Sequence, residues 1–370
     1  MNALLNDERL YYVGGYVRDE ILGIKSHDID ITFQGNAIDF CKKLEKEKIG
    51  VIKQINKNFG TVRMVINNKV IDFASTRDEI YEKKGHLPQV TALGCELKKD
   101  VLRRDFTVNS LAKSLKTGEI IDYTGGLNDL KNKKLKVLHD NSFVDDPTRI
   151  IRGLKFSIRY GFRLDEHTKE LQNQYLSNVN YDMSYKRLKK EITETFNLNS
   201  QRAYNEFFSQ NMYKLLSDKT AEPPDYNIEK LINKIPVDNI WLVYLGWYDL
   251  SKIPLNKNEQ KILDDFNILK TLEIKEDNFS LYKAFENKKP ESVLLYTITE
   301  KSQKGLKYLK IKDTHLSITG EDLKKMNIPP SKKYGECFDY ILKIKLEGNN
   351  LSRSNEIELA RNFFKTDISF

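Results

Sequence analysis

Residues 11–33 read YYVGGYVRDEILGIKSHDIDITF, and the fold turns on how that stretch is parsed. Residues 10–13 are apolar and β-favouring, and Gly14-Gly15 then lets the backbone approach a ligand where any Cβ would collide. Helical spacing follows over residues 17–22. A glycine turn that opens a helix aims free N–H groups at whatever sits above it, so it receives a phosphate chain well, with Arg18 as a forked cationic partner. On the next extended segment Asp28 and Asp30 project from one face while Ile29 and Ile31 enter the core. Two carboxylates in one small volume repel unless cations neutralise them, and oxygen-only ligands suit Mg²⁺.

A lone DxD at a strand end is usually a solvated pair. The combination of Gly-Gly, an arginine three residues on and DxD on the following strand is more specific. It resembles the first motif of the polymerase-β-like nucleotidyltransferases, in the form GGxVRD…DxD of the tRNA nucleotidyltransferase and bacterial poly(A) polymerase family.

Composition sets the frame. The 370 residues exceed what one core normally serves, so more than one structural unit is expected. The 61 basic against 53 acidic residues, net +8, favour an anionic partner such as nucleic acid over a membrane. Cys41, Cys95 and Cys337 are isolated, which argues against a zinc site or a disulfide frame and fits a reducing cytoplasm. MNALLNDERL lacks the apolar stretch of a signal peptide, and residues 241–250 are too short to span a bilayer. No repeat or protein partner is implied.

Residues 36–48 place Ile38, Cys41, Leu44 and Lys48 at helical intervals, predicting an amphipathic helix over the sheet. Residues 60–75, GTVRMVINNKVIDFAS, alternate as two strands around a tight Asn67-Asn68 turn. Spacing alone leaves Asp72 open between an exposed hairpin acid and a third carboxylate on the DxD face. The resemblance favours the latter, because an hhDhA strand occurs there. Residues 77–90 lose periodicity and read as a mobile loop. Tyr81, Leu87 and Pro88 match the segment that shapes the ATP pocket in the family, and its presence speaks against an enzyme restricted to cytidine.

RRDFTVNSLA (103–112) supplies Arg103, Arg104 and Asp105, a cluster that by itself is commonly a surface ion-pair patch. A carboxylate accepts from ribose hydroxyls and an adjacent guanidinium holds phosphate. The stretch resembles the family's RRDFTxNA motif, with Ser110 for the usual Ala, which implies nucleotide binding by Arg104, Asp105 and Asn109. EIIDYTGGLNDL (119–130) resembles the IDxxGGxxDL turn that closes the sheet domain.

DDPTRIIRGLKFSIRYGF (145–162) reads as a helix start, with Asp146 as N-cap and Pro147 in the first turn. Asp146 and Arg149, three apart, also share a face and present an acceptor beside donors. That pair complements the amino-and-ring-nitrogen edges of cytosine and adenine. Uracil and guanine would set carbonyl against carboxylate, at a cost on the order of 1–3 kcal/mol per unpaired buried group. The stretch resembles the EDxxR motif of class II tRNA nucleotidyltransferases, Asp145 standing for the Glu, and Arg152 is placed to meet phosphate or a second base edge. Phe156, Tyr160 and Phe162 read as core. SYKRLKKEITETF (184–196) resembles the family's SxxRxxxE helix, with Ser184 as cap and Arg187–Glu191 as an i,i+4 pair.

The expected architecture is α+β. A nucleotidyltransferase head with a mixed sheet spans 1–137, an all-helical neck with the base-recognition helix 138–200, and a helical body and tail that bind tRNA 201–370. Pro223-Pro224 marks a break, and Lys301, Lys304, Lys307, Lys310 and Lys312 form a basic stripe that is either a solvated face or a track for tRNA phosphates. His27-Asp28 has no further histidines nearby to make a phosphohydrolase pattern. The resemblance implies a cytoplasmic, Mg²⁺-dependent enzyme that adds or repairs the CCA end of tRNA from CTP and ATP. Asp28, Asp30 and Asp72 are its catalytic acids, the first two of them metal ligands. Gly14, Gly15, Arg18, Arg104, Asp105, Asn109, Asp146, Arg149 and Arg152 bind nucleotide. An enzyme adding only the terminal adenosine, or a bacterial poly(A) polymerase, would keep most of these motifs. A catalytically silent RNA-binding protein would be expected to have lost a carboxylate of the DxD.

Overall fold

The computed structural model describes residues 6–26, 28–224 and 235–366. His27 and the first five residues therefore lie outside the described residues. The described chain divides into two compact units, one within Met1–Ala221 together with Leu250–Pro254, the other within Glu222–Asp249 and Leu255–Phe370. The stretches expected as head and neck thus pack in one unit, and the Pro223-Pro224 break adjoins its end.

The first unit is built on a seven-stranded mixed sheet in the order β3-β4-β5-β2-β1-β8-β9. Its strands are β1 (Leu10–Val13), β2 (Ile29–Phe33), β3 (Val51–Asn56), β4 (Thr61–Ile66), β5 (Lys69–Ser75), β8 (Ala112–Ser114) and β9 (Ile120–Ile121). β2 and β5 are parallel, and the other pairs are antiparallel. Asn67 and Asn68 both take positive φ, 49° and 60°, and close the β4–β5 hairpin with two residues, which fixes its register. Helix α1 (Gly15–Ile21) leaves the end of β1, and α2 (Ala37–Lys46) covers the sheet with Ala37, Cys41 and Leu44 against Met64, Ile66 and Phe73. Asn36 accepts from the Ile38 and Asp39 amides and starts α2, which stops before Lys48; that residue has φ 59° and belongs to the turn rather than to the expected helical face.

Residues 77–90, read as a mobile loop, fall within a hairpin instead: β6 (Arg77–Ile80) pairs antiparallel with β7 (Gln89–Leu93). Its tip is tied down, because the Gly85 amide donates to Asp145 O at 3.0 Å, Gly85 O accepts from Ser184 N at 3.0 Å and Lys84 pairs with Asp145 at 2.6 Å. After α3 (Leu97–Leu102) and α4 (Gly126–Lys131) the unit becomes helical, apart from the short parallel pair β10 (Lys134–Leu135) and β11 (Arg163–Leu164). The helices are α5 (Ser142–Asp145), α6 (Thr148–Tyr160), α7 (Glu166–Ser177), α8 (Tyr185–Leu198) and α9 (Ser200–Ser209).

The second unit is helical throughout its described residues, from α10 (Ile240–Leu245) and α11 (Lys257–Thr271) through α12 (Asn278–Phe285), α13 (Pro290–Thr299) and α14 (Lys304–Ile311) to α15 (Gly320–Lys325), α16 (Lys333–Leu346) and α17 (Arg353–Thr366). Buried carboxylates clip its loops: Glu291 accepts from the Asp238 and Asn239 amides, and Glu356 accepts from the Ser317 and Ile318 amides and pairs with Lys345. Among the described residues no helix is long and apolar enough to cross a membrane.

Candidate active site

The carboxylates enter through sheet register. Asp30 on β2 and Asp72 on β5 are direct Cα partners in the parallel pair, so their side chains share a face. Asp28 lies one residue before β2 and is exposed. Burial raises the Asp30 pKa, Asp72 and Asp28 raise it further, and Arg104 opposes them. Such a carboxylate favours a cation. Asp72 is not free to supply one side of that site, because its two oxygens accept from Arg63 Nε at 2.8 Å and Nη2 at 2.7 Å. Among the described residues no three His, Cys, Asp or Glu side chains converge on a metal position.

The glycine turn stands beside this row. Gly14 has φ 64°, and a Cβ there would come within 3.0 Å of Arg104 Nη1. Arg104 gives Nη2 to Asp100 at 3.0 Å, while its buried Nε has no hydrogen-bond partner. Arg104 thus faces the turn at Gly14, while Arg18 Nη2 lies 3.4 Å from where a Cβ of Gly15 would stand. Arg18, expected to fork onto phosphate, is buried and turned elsewhere: Nε and Nη2 bond Asp19 at 2.9 and 2.7 Å, Nη1 bonds Asn109 at 2.6 Å and Nη2 also reaches the Tyr160 hydroxyl at 2.6 Å. Its guanidinium lies 4.4 Å from the Tyr160 ring centre, so Tyr160 serves this arginine rather than the core alone.

Asp105 and Asn109 meet behind Arg18. Asp105 Oδ2 accepts Arg152 Nε and Nη2 at 2.9 and 2.6 Å, and Oδ1 accepts from the Phe106 amide and Asn109 Nδ2. Burial works to raise its pKa, but Arg152, Asn109 and Arg149 prevail and hold the carboxyl at about 2. Arg152, its own charge opposed by burial, is held above its usual range by Asp105 and Glu191. Asp105 is thus tied to α6 through Arg152, which in turn reaches Glu191 on α8, rather than exposed as a ribose acceptor.

α6 begins one residue later than expected, with Pro147 at the cap position. Asp146 still acts on that end, since Oδ1 accepts from the Thr148 amide at 3.2 Å and hydroxyl at 2.6 Å, and Oδ2 accepts from Arg187 Nη2 at 2.5 Å. Arg149 is held by Ser142 Oγ at 2.7 Å, the Tyr81 hydroxyl at 3.2 Å and Arg103 O at 3.1 Å. The expected Arg187–Glu191 pair is exchanged for three tertiary ones, Arg187 with Asp146, and Glu191 with both Arg152 and Lys155.

These groups line one cleft of about 830 Å³. Gly14, Gly15, Arg18, Asp30, Asp72, Arg104, Asp105, Asn109, Asp146, Arg149 and Arg152 all border it, and Asp28 does not. Ten Lys and Arg side chains face six carboxylates in its lining, so it attracts polyanions. Lys155, Arg159, Arg63 and Arg187 were not predicted as part of it.

The family model described as the poly A polymerase head domain matches residues 10–136. An A-adding tRNA nucleotidyltransferase of Geobacter sulfurreducens is 29% identical over 95% of this chain, which spans only 44% of that relative's length. The solved complex of a CCA-adding enzyme with ATP superposes with a TM-score of 0.75 at 30% identity, covering 96% of this chain and 91% of the other. The CCA-adding enzyme of Thermotoga maritima in complex with tRNA gives a TM-score of 0.77 at 27% identity, covering 98% and 94%.

Proposed function

This chain belongs to the tRNA nucleotidyltransferase and poly(A) polymerase family, and from that membership we propose that it adds or repairs the 3′-terminal CCA of tRNA, using CTP and ATP without a nucleic-acid template. One observation carries the reading: a single cleft places Asp30, the Gly14-Gly15 turn with Arg104, and the Asp146 and Arg149 pair around one volume. A head of this family works with divalent metal. The donors here fit one, being oxygen-only and mutually repelling, and the Asp28 and Asp30 carboxylates would hold it, with Mg²⁺ the ion such a hard donor set suits. When bound, the ion lowers the pKa of the attacking 3′-hydroxyl and neutralises charge on the phosphates.

The chain's own residues do the rest. Backbone N–H groups at the glycine turn and the Arg104 guanidinium receive the triphosphate. Asp146 keeps acceptor capacity beyond its bonds to Thr148 and Arg187, and Arg149 keeps an unassigned N–H on Nη1, so an amino group beside a ring nitrogen can be paired. Asp105, Asn109 and Arg152 fix the slope of α6 against the turn. Catalysis is then positioning plus charge neutralisation. The three free cysteines accord with a cytoplasmic location.

The test is single-nucleotide extension of tRNA transcripts lacking CCA, CA or A, with Mg²⁺ and CTP, ATP or both. Completion of all three is expected, and Asp30→Ala should lose both incorporations while still binding tRNA. Equal activity in that variant would sink the reading. A second reading, addition of the terminal adenosine alone, is favoured by the name of the Geobacter relative. Extension of only the transcript lacking A would establish it.

A further inference from the structure

Gln54, Arg63, Asp72 and Asp30 form one row across β3, β4, β5 and β2, because each is the Cα partner of the next. The row ends at the acid that would hold metal. Beside it, Arg63 bonds both oxygens of Asp72 and sets a fixed positive charge against them, which opposes a cation at that carboxylate. The pair is open to water, with side chains 53% and 39% exposed, and exposed pairs of this kind are weak enough to exchange partners. Arg63 also feels the charges of Asp28 and Asp30.

Geometry supplies the competing partner. The glycine turn and Arg104 lie on the β1 side of Asp30, while the row runs away from it towards the sheet edge. In-line phosphoryl transfer puts attacking and leaving oxygens on opposite sides of phosphorus. With the triphosphate on the β1 side, the acceptor strand must approach over β5 and β4. There the cleft is lined by Gln54, Asn56, Thr61 and Arg63, none of which has a part in nucleotide binding above.

We propose that Arg63 is a positioning residue with two alternative partners: it holds Asp72 until the terminal phosphodiester of an acceptor RNA takes its guanidinium, which frees Asp72 to join Asp30 at the metal. Phosphodiester and carboxylate offer the fork the same pair of oxygens. The RNA half of this proposal rests on the nucleotidyltransferase reading, whereas the hold on Asp72 does not.

Two measurements on the full chain test it. Mn²⁺ binding without RNA or nucleotide, followed by electron paramagnetic resonance, should tighten about twofold to fivefold in Arg63→Gln, because Asp72 is released. With a tRNA lacking its terminal A, the same variant should raise KM for the RNA and flatten its log–log dependence on KCl by about 0.7, the mark of one lost single-strand phosphate contact, with KM for ATP unchanged. Arg63→Lys, which keeps the charge, should restore the salt slope. Unchanged Mn²⁺ affinity in Arg63→Gln, or an unchanged salt slope, would overturn the proposal. A wild-type chain that extends no acceptor would overturn the functional reading and the RNA half with it, while a gain in Mn²⁺ affinity would still support the hold on Asp72.

Discussion

Asp105 is enclosed by protein yet ionised, because Arg152 takes one oxygen with two N–H groups and Asn109 with the Phe106 amide takes the other. Its folded pKa of about 2 lies below the roughly 3.9 of an unfolded aspartate. The unfolded chain therefore binds this proton more readily, so the stabilisation is full above about pH 5 and is lost as pH falls through the folded value. Its size is on the order of 2 kcal/mol. Urea unfolding of the wild type at steps between roughly pH 5 and 2 should show that loss, while Asp105→Asn should start about 3 kcal/mol less stable and fall less steeply. Parallel slopes would place the acid sensitivity elsewhere. At this scale the sequence was legible where a motif is local. Asp30, Arg104, Asp146 and Arg149, picked out from three local motifs, all border one cleft. The orientation of Arg18 was not legible, because it depends on Asn109, 91 residues away, and Tyr160, 142 residues away, which no local spacing encodes.

Register carries the site at the scale of elements. A two-residue Asn67-Asn68 turn sets Ile66 against Lys69, and counting back brings Arg63 opposite Asp72, so that ion pair could be read from the hairpin alone once the turn length was taken literally. The hairpin at 77–93 could not, since its tip is ordered by Asp145, Asp182 and Ser184 on the helical side rather than by its own residues. Gly85 is the fastening. It has φ 78°, and a Cβ there would stand 2.8 Å from Asp182 O and 2.9 Å from Met183 Cβ. Gly85→Ala is therefore expected to cost roughly 1–2 kcal/mol and to undock the tip. Hydrogen exchange of residues 81–88 should speed up in the variant, and so should exchange at Ser184, whose amide donates to Gly85 O. Because Tyr81 in the same tip bonds Arg149, selection between ATP and UTP should slacken as well. Unaltered exchange at Ser184 would show that the tip is held by Lys83 and Lys84 instead.

For the whole molecule, a net charge of +8 says only that an anion is welcome, and the structure says where the charge is available. In the helical unit, Lys304 Nζ donates to Ile274 O at 2.6 Å and Lys307 and Lys312 pair with Glu276 and Asp313, so three amines of the stripe already have protein partners. The cleft, by contrast, has an excess of cations, and Arg159 in it is half-exposed, 4.0 Å from its nearest acid, Asp19. Each phosphate neutralised releases counterions and adds roughly 0.7–0.9 to the slope of log affinity against log salt. An excess of four cations in the cleft lining predicts a slope near −3 for tRNA binding. Filter binding over a series of KCl concentrations should give that value for the wild type. The Lys304→Gln, Lys307→Gln double variant should leave it within about 0.5, and Arg159→Gln should reduce it by about 0.8. If the lysine variant flattened the slope more than the arginine one, the stripe on α14 would have to exchange its protein partners for phosphate, and the main anion-binding surface would lie on the helical unit.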